Sequence, residues 1–445
     1  MSHCVQAKKM RGKKVQRFDS INDKSEKMIS RRRGRVQTGG AAPVETARFA
    51  ATTIAACIAG LLLLLPSLSC GAGGGTTPPQ ETVPVPQAGA TNTGPATGTH
   101  PVAIDGHILT LPDGFTITRW VTGLDGLRMM AVTSDGLLLV TEMGQGNVLG
   151  LRLADANPQP ITMISGLSEP SGIALHDNYL YVAEQTQVSR YEYLGGGRVG
   201  AGQVIISNLP AGGHVTRTVG TGPDGKLYLT IGSSCNVCQE KDTRRAAMSR
   251  YNLDGSGGEV IATGLRNTVG LTWNPQTDEI WGVDNGRDNL GDDLPPDEVN
   301  IITPGKNYGW PYCYGDRVVD RDFNGDQGSV SFCATTEPPA VELQAHSAPL
   351  GLRFLSSPSW PPAWQNNLFI AFHGSWNRSV PTGYKVVRVD AAARNVSDFI
   401  TGWLEESTGQ YWGRPVDIIF ANNKMYISDD YSGSIYIVSQ QAPGS

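Results

Sequence analysis

Beyond residue 104 the chain alternates between short apolar runs and tight polar corners. A pair drawn from Asp, Asn and Gly precedes a stretch in which apolar side chains recur with period two. The pairs are Asp135-Gly136 before Leu137 to Val140, Asp177-Asn178 before Leu180 to Val182, and Asp224-Gly225 before Leu227 to Leu229. The pattern returns near Asp278 before Ile280 to Val283, at Asn366-Asn367 before Leu368 to Ile370, and at Asn422-Asn423 before Met425 to Ile427. Such pairs accept the positive φ angles of tight hairpins, and period-two alternation marks half-buried strands. A second short strand precedes most of the corners: Gly172 to Leu175, Val219 to Thr221, Gly270 to Trp273, Gly351 to Phe354 and Val416 to Phe420. The corners lie 42, 47, 54, 88 and 56 residues apart, near the ~40–50 residues of a propeller blade. The pattern predicts an all-β, six-bladed β-propeller over residues 104–440. Phe115 to Val121 precedes the first blade and is placed to supply the outer strand of the last, closing the ring. The 88-residue interval is the exception. Long loops in a compact domain carry function, and loops at one end of a propeller converge on its axis.

Composition agrees. Charged residues make up 17% of the 445, with 54 Gly and 28 Pro, which favours turns and strands over helices. The formal net charge of −5 hides an asymmetry: residues 1–48 carry 13 Lys+Arg against 4 Asp+Glu. The body is therefore acidic, which argues against nucleic-acid binding. Phe49 to Leu65 is apolar or small throughout, follows Arg31-Arg32-Arg33 and Arg35, and leads into Ser67-Leu68-Ser69-Cys70. Basic, apolar, then small is a secretory signal, with Met28 as an alternative start. Cleavage, lipidation at Cys70 and retention of residues 49–70 as a membrane tether all remain open. Ser67 stands where a lipobox prefers Leu, the apolar run of ~17 residues is at the lower limit for spanning, and the twin arginines also read as a Tat signal. Every reading places the folded part outside the cytoplasmic membrane, in the periplasm or on its outer face. Residues 71–103, rich in Gly, Thr, Pro and Ala, read as a linker.

Candidate chemistry gathers between Gly213 and Trp310. His214 stands in Gly-Gly-His, where a turn can aim its ring at the channel; it is either a proton acceptor or a structural histidine. Arg266-Asn267 either caps a hairpin or offers a fork for carboxylates, and Arg378 and Arg414 recur at equivalent points of later blades. Three arginines from different blades would make an anion site; solvated surface arginines are the alternative. The Asp-rich loop Asp284 to Asp293, with Gly286 and Gly291, suits Ca²⁺ or is a solvated acidic loop. Asp320-x-Asp322-x-Asn324-Gly325-Asp326 begins like an EF-hand but has Ser331 at its twelfth position. Four of the seven cysteines lie in the exported body, and the expected disulfides are Cys235–Cys238 and Cys313–Cys333. No neighbouring His or Cys completes a zinc site, and Gln239 after Cys238 excludes a haem-attachment motif.

Several longer motifs go together: H-V-T-R-T-V-G-T-G-P-D-G-K-L-Y from His214, S-S-C-N-V-C, T-G-L-R-N, D-N-G-R-D-x-L-G-D-D-L-P-P-D-E-V-N, Y-G-W-P-Y-C-Y-G-D and F-H-G-S-W-N-R-S. In this order, over residues 107–438, they resemble the glucose/sorbosone dehydrogenase family, and more narrowly its sorbosone-dehydrogenase-like branch. The resemblance implies a six-bladed propeller that uses pyrroloquinoline quinone (PQQ) and calcium to oxidise an aldose or related sugar aldehyde. An external quinone or cytochrome would take the electrons. His214 matches the family's catalytic base, and Arg266 and Asn267 its cofactor-contacting pair. Arg414 lies near an arginine, and Arg378 near a lysine, that contact the cofactor. Gly286 and Arg287 fall where two backbone carbonyls hold calcium, although the better-known soluble enzymes have Gly-Pro there. Asp297 aligns with an acidic position near the substrate pocket or metal. A calcium-dependent lactonase and a non-catalytic propeller binding a glycan or protein are the alternatives.

Overall fold

Each Asp/Asn/Gly corner is left-handed in the computed structural model, which describes residues 98–323 and 329–441. Backbone φ is positive at Gly136 (84°), Asp177 (50°), Gly225 (69°), Asp278 (58°), Asn366 (62°) and Asn422 (51°). Every one lies between the innermost and second strands of a sheet, and there are six such sheets. The first two begin with Leu127–Val132 and Leu137–Glu142, and with Gly172–His176 and Tyr179–Ala183. The third and fourth begin with Arg217–Thr221 and Leu227–Ile231, and with Thr268–Trp273 and Ile280–Asp284. Pro349–Phe354 with Leu368–Phe372, and Pro415–Ala421 with Lys424–Asp429, open the fifth and sixth. The outermost strand of the sixth blade is Phe115–Val121, antiparallel to Ser434–Gln440, so the start of the propeller closes the ring as expected. The all-β, six-bladed expectation holds.

The hydrophobic core is divided among the blade interfaces. Blade middle strands are covered on both faces, so Leu137–Glu142 is buried at all six positions. Trp120, Leu138 and Tyr426 pack between blades six and one, and Leu139, Ile173 and Val182 between one and two. Tyr181 and Leu229 fill the next interface, and Tyr228 and Leu271 the one after it. Trp281 and Phe354 lie between blades four and five. Between five and six, Phe115, Trp360, Trp364, Phe369 and Phe399 form an aromatic cluster. Blade positions are thus fixed by packing on both sides, which holds the loops at the channel mouth in register.

The 88-residue interval resolves into two loops of the fourth blade. One joins Ile280–Asp284 to Asp297–Ile302; the other runs from there to the outermost strand, Val341–Leu343. The second loop is stapled by Cys313–Cys333, buried against Tyr312. Cys235–Cys238 is the other disulfide, so both expected pairings are present. The EF-hand-like run passes into residues 324–328, outside the described residues, and its first residue, Asp320, is buried beside Arg287.

One boundary is corrected. The linker reading extended to residue 103, but Thr99–Ile104 is a strand paired with His107–Pro112. Leu109 and Leu111 of that hairpin are fully buried in the core between blades five and six, and Ile104 joins them. The apolar segment 49–70, Cys70 and the linker as far as residue 97 lie outside the described residues.

Candidate active site

In an antiparallel propeller the innermost strands begin, and the second strands end, at the same end of the channel. His214 immediately precedes the innermost strand region of blade three, and Arg266-Asn267 that of blade four. Arg414 stands directly before Pro415–Ala421 of blade six, and Arg128 is the second residue of blade one's Leu127–Val132. Ser233, Asn285 to Asp288, His373 and Asp430 follow second strands. All of these groups therefore share one end. The channel below is a cavity of about 350 Å³ lined by later residues of the innermost strands, among them Met130, Val219, Leu271 and Leu352.

His214 is half-buried. Its Nδ1 lies 3.0 Å from the Ser233 carbonyl and 3.0 Å from Ser233 Oγ, which itself donates to the Cys235 carbonyl at 2.7 Å. A carbonyl can only accept, so the network assigns the proton to Nδ1 and leaves the lone pair on Nε2. Burial, and then the charge of Arg266, push the imidazole down to about 3, so it is neutral at pH 7. Two further buried guanidinium groups hold the loop. Arg217, with no exposed surface, donates to the carbonyls of His214 (2.6 Å), Thr216 (2.9 Å) and Pro210 (2.5 Å). Arg245 donates to Gly232 (3.0 Å), Pro210 (2.9 Å), Ala211 (2.7 Å) and Gly212 (2.8 Å). Among the described residues neither has a carboxylate in salt-bridge contact.

Asn267 faces His214 across Gly232. A Cβ at Gly232 would lie 2.3 Å from Asn267 Oδ1 and 2.7 Å from the His214 Cβ, so glycine is what permits the approach. Asp284 fixes Asn267 from below by accepting its backbone N–H at 2.5 Å, and burial raises that carboxyl to about 7.

The remaining sequence-predicted residues have different surroundings. Arg266 is buried and spends all five of its donor directions inside the protein. Nε reaches the Asn236 carbonyl (3.0 Å), Nη1 the Asn285 (3.0 Å) and Gly286 (2.7 Å) carbonyls, and Nη2 Asn236 Oδ1 (3.0 Å) and Asp288 (3.3 Å). Arg378 is committed to the acidic loop through the Asp292 carbonyl and the Asp293 carboxylate at 3.0 Å. Arg287 points its side chain into the stapled loop, 2.6 Å from Asp320. Asp297 is buried beneath the loop and accepts the N–H groups of Gly286 and Ala348, both at 2.9 Å; burial raises it to about 6. The Gly286 carbonyl and both carboxylate oxygens of Asp297 therefore already accept hydrogen bonds. A divalent ion on the Gly286 carbonyl would share it with a guanidinium 2.7 Å away. Among the described residues the one three-residue cluster at ligand spacing is Cys235, Cys238 and Glu240, whose sulfurs are bonded to each other.

A second polar group closes the ring on the side of blades five, six and one. His373 Nε2 donates to Asp430 Oδ1 at 2.8 Å, and Arg128 Nη1 donates to Asp430 Oδ2 at 3.2 Å. Burial and the Arg414 charge lower His373 to about 4. Burial works against ionisation of Asp430, but His373 and Arg128 outweigh it and hold the carboxylate at about 2. Arg414 donates from Nε to the His373 carbonyl (3.1 Å) and from Nη2 to the Gly374 carbonyl (2.8 Å), with Tyr384 and Tyr411 each 5.6 Å from its guanidinium. The Arg128 Nε is buried without a partner. Sequence reasoning missed Arg128, His373 and Asp430. The F-H-G-S-W-N-R-S motif contained a signal for His373, but nothing local marks the other two.

The arrangement suits an anionic guest. Arg217 and Arg245 place positive charge behind His214 without a carboxylate in salt-bridge contact among the described residues, and Arg128 and Arg414 keep donor capacity at the opposite side of the ring. A six-bladed ring of this kind is shared with solved structures of the PQQ-dependent sugar dehydrogenase (glucose/sorbosone dehydrogenase) superfamily. Within it the chain belongs to the TrAA12-like family, which matches residues 109–441. It is 32% identical over 355 residues to an uncharacterized protein of Borreliella burgdorferi, covering 74% of this chain and 90% of that one. It is 25% identical over 410 residues to the pyrroloquinoline quinone-dependent pyranose dehydrogenase of Coprinopsis cinerea. That match takes in 75% of this chain and 55% of the relative, so the chain spans about half of that protein's length. The calcium structure of a Trichoderma reesei carbohydrate-active enzyme of family AA12 shares the fold, with a TM-score of 0.68 and 23% identity over 76% of this chain and 99% of that one.

Proposed function

We propose that this chain is a PQQ-dependent dehydrogenase that oxidises an aldose or related sugar aldehyde outside the cytoplasmic membrane and passes electrons to an external quinone or cytochrome. The observation that carries the reading is a neutral histidine with its Nε2 lone pair uncommitted, set beside two guanidinium groups, Arg217 and Arg245, that have no carboxylate in salt-bridge contact among the described residues. Nε2 of His214 takes the proton of the substrate hydroxyl at the carbon to be oxidised, while Nδ1–H stays on the Ser233 carbonyl and fixes the ring. A positioned base of this kind contributes ~10²–10⁴-fold. Arg128, Arg414 and the Asn267 amide would hold the carboxylates of the cofactor, and Arg217 and Arg245 would add long-range attraction for its charge. When bound, PQQ would supply the two-electron acceptor for the substrate oxidation. The exported location is supported by the basic-apolar-small head and by the two disulfides.

Full-length protein should reduce a dye with aldoses only after PQQ is added, and the absorbance of the cofactor should change on uptake. Parallel runs with calcium and with a chelator separate a metal requirement from a quinone requirement. Absence of both turnover and uptake would end the reading. Gly232→Ala gives a finer check. Its methyl group pushes Asn267 and His214 apart, and misplacement on this scale should lower kcat roughly tenfold or more, while the overpacking costs about 1–3 kcal/mol of stability. Wild-type kcat in that variant would mean that the His214–Asn267 approach does not matter.

A further inference from the structure

The four-residue ring closed by Cys235–Cys238 contains one polar side chain, Asn236, and that residue is a hub. Its carbonyl accepts from Arg266 Nε at 3.0 Å and from Trp310 Nε1 at 3.4 Å. Its Oδ1 accepts from Arg266 Nη2 at 3.0 Å and from the Asp288 N–H at 2.7 Å, while Nδ2 donates to the Asp288 carbonyl at 3.0 Å. On its other side the ring is tied to the base, because Ser233 Oγ, which touches His214 Nδ1, donates to the Cys235 carbonyl at 2.7 Å. The segment from Gly232 to Glu240 has no strand or helix of its own. The disulfide is therefore what keeps Asn236 facing Arg266 and Asp288.

We infer that Asn236 is a positioning residue for Arg266 and, along the chain, for its neighbour Asn267 at the proposed cofactor site, and that the Cys235–Cys238 bond is a lock that thiol–disulfide exchange opens. The inference rests on the proposed cofactor reading for its ligand, but its structural part does not. An external thiolate attacks one ring sulfur and displaces the other as thiolate. A second external thiol then releases the mixed disulfide, so two thiols become one external disulfide and the protein gains two Cys–SH groups. Cys235 and Cys238 are half-buried and reachable, whereas Cys313 and Cys333 are buried at 5% and 0% exposure and are shielded from the same reagent. With the ring open, Asn236 is no longer held against Arg266. The five-bond cradle of that guanidinium loosens, and with it the Asn285–Asp288 backbone.

Two measurements on the full chain test this. The first is hydrogen exchange over residues 284–293 without cofactor, in which the Asp288 amide reports its bond to Asn236 Oδ1. Dithiothreitol should speed exchange there, C235S/C238S should exchange as fast as reduced wild type, and dithiothreitol should then add nothing. The second is PQQ titration by absorbance, where C235S/C238S and Asn236→Ala should each weaken uptake about tenfold, the scale of one hydrogen bond to a charged group, here that of a displaced Asn267 amide to a cofactor carboxylate. Thermal melting confirms that the variants are folded, and where C235S/C238S does not fold, reduced wild type and Asn236→Ala decide. Unchanged exchange over 284–293 on reduction, or in Asn236→Ala, overturns the inference. If wild type takes up no PQQ while exchange responds as described, the positioning role stands and the cofactor reading fails.

Discussion

His214→Ala should abolish turnover, lowering kcat by at least about 10²-fold, while leaving cofactor uptake within a few-fold of wild type. The ring contributes one lone pair to the chemistry, and the cofactor-holding groups lie on Asn267, Arg128 and Arg414. The pH dependence gives a second, independent signature. Because burial and Arg266 hold the imidazole at about 3 rather than near 6.5, the base stays unprotonated throughout the ordinary assay range. The wild-type kcat/KM profile should therefore lack an acid limb near pH 6.5. Folding carries the opposite consequence. Between pH 6.5 and about 3 the unfolded chain binds a proton at His214 that the folded chain does not, so stability falls as pH falls through that window. His214→Ala removes this loss and should flatten the acid side of the stability curve. Full turnover in the variant, followed with dye and aldose at pH 7, would remove His214 as the base.

The corners were legible because each needed a left-handed φ, and Asp, Asn and Gly are the residues that tolerate it. Asp177, Asp278, Asn366 and Asn422 mark their turns for the same physical reason that Gly136 and Gly225 do. The closing strand was legible too, because Phe115–Val121 reads as a strand that precedes the first blade. Side-chain direction was harder. Arg266 was visible as a guanidinium in a suggestive place, yet nothing local reveals that five acceptors surround it. They come from Asn236, Asn285, Gly286 and Asp288, two separate loops. Arg378 looked equivalent to Arg414 along the chain, but a bridge to Asp293 from the neighbouring blade draws it away. Ring closure hid the most. Arg128 and Asp430 are 302 positions apart in sequence and meet because the last blade lies beside the first.

Arg128→Met should therefore act on both stability and binding. The Arg128–Asp430 pair is nearly buried, with side chains 10% and 20% exposed, and the carboxylate also accepts from His373. Losing the guanidinium leaves Asp430 facing a neutral imidazole in a largely buried interface, which should cost about 3 kcal/mol and appear as a lower urea midpoint at constant m-value. Arg128→Met/Asp430→Asn should recover much of that loss, since the amide has no charge to strand. Binding should not recover, because the buried Nε without a partner is lost in both variants and nothing replaces its charge toward the cofactor's carboxylates. PQQ titration should show uptake weakened about tenfold or more in the single and the double variant alike. The split matters. A purely structural arginine would regain uptake together with stability, so parallel recovery of both would reduce Arg128 to a clasp between the first and last blades. Stability restored with uptake still impaired would place its free donors at the cofactor.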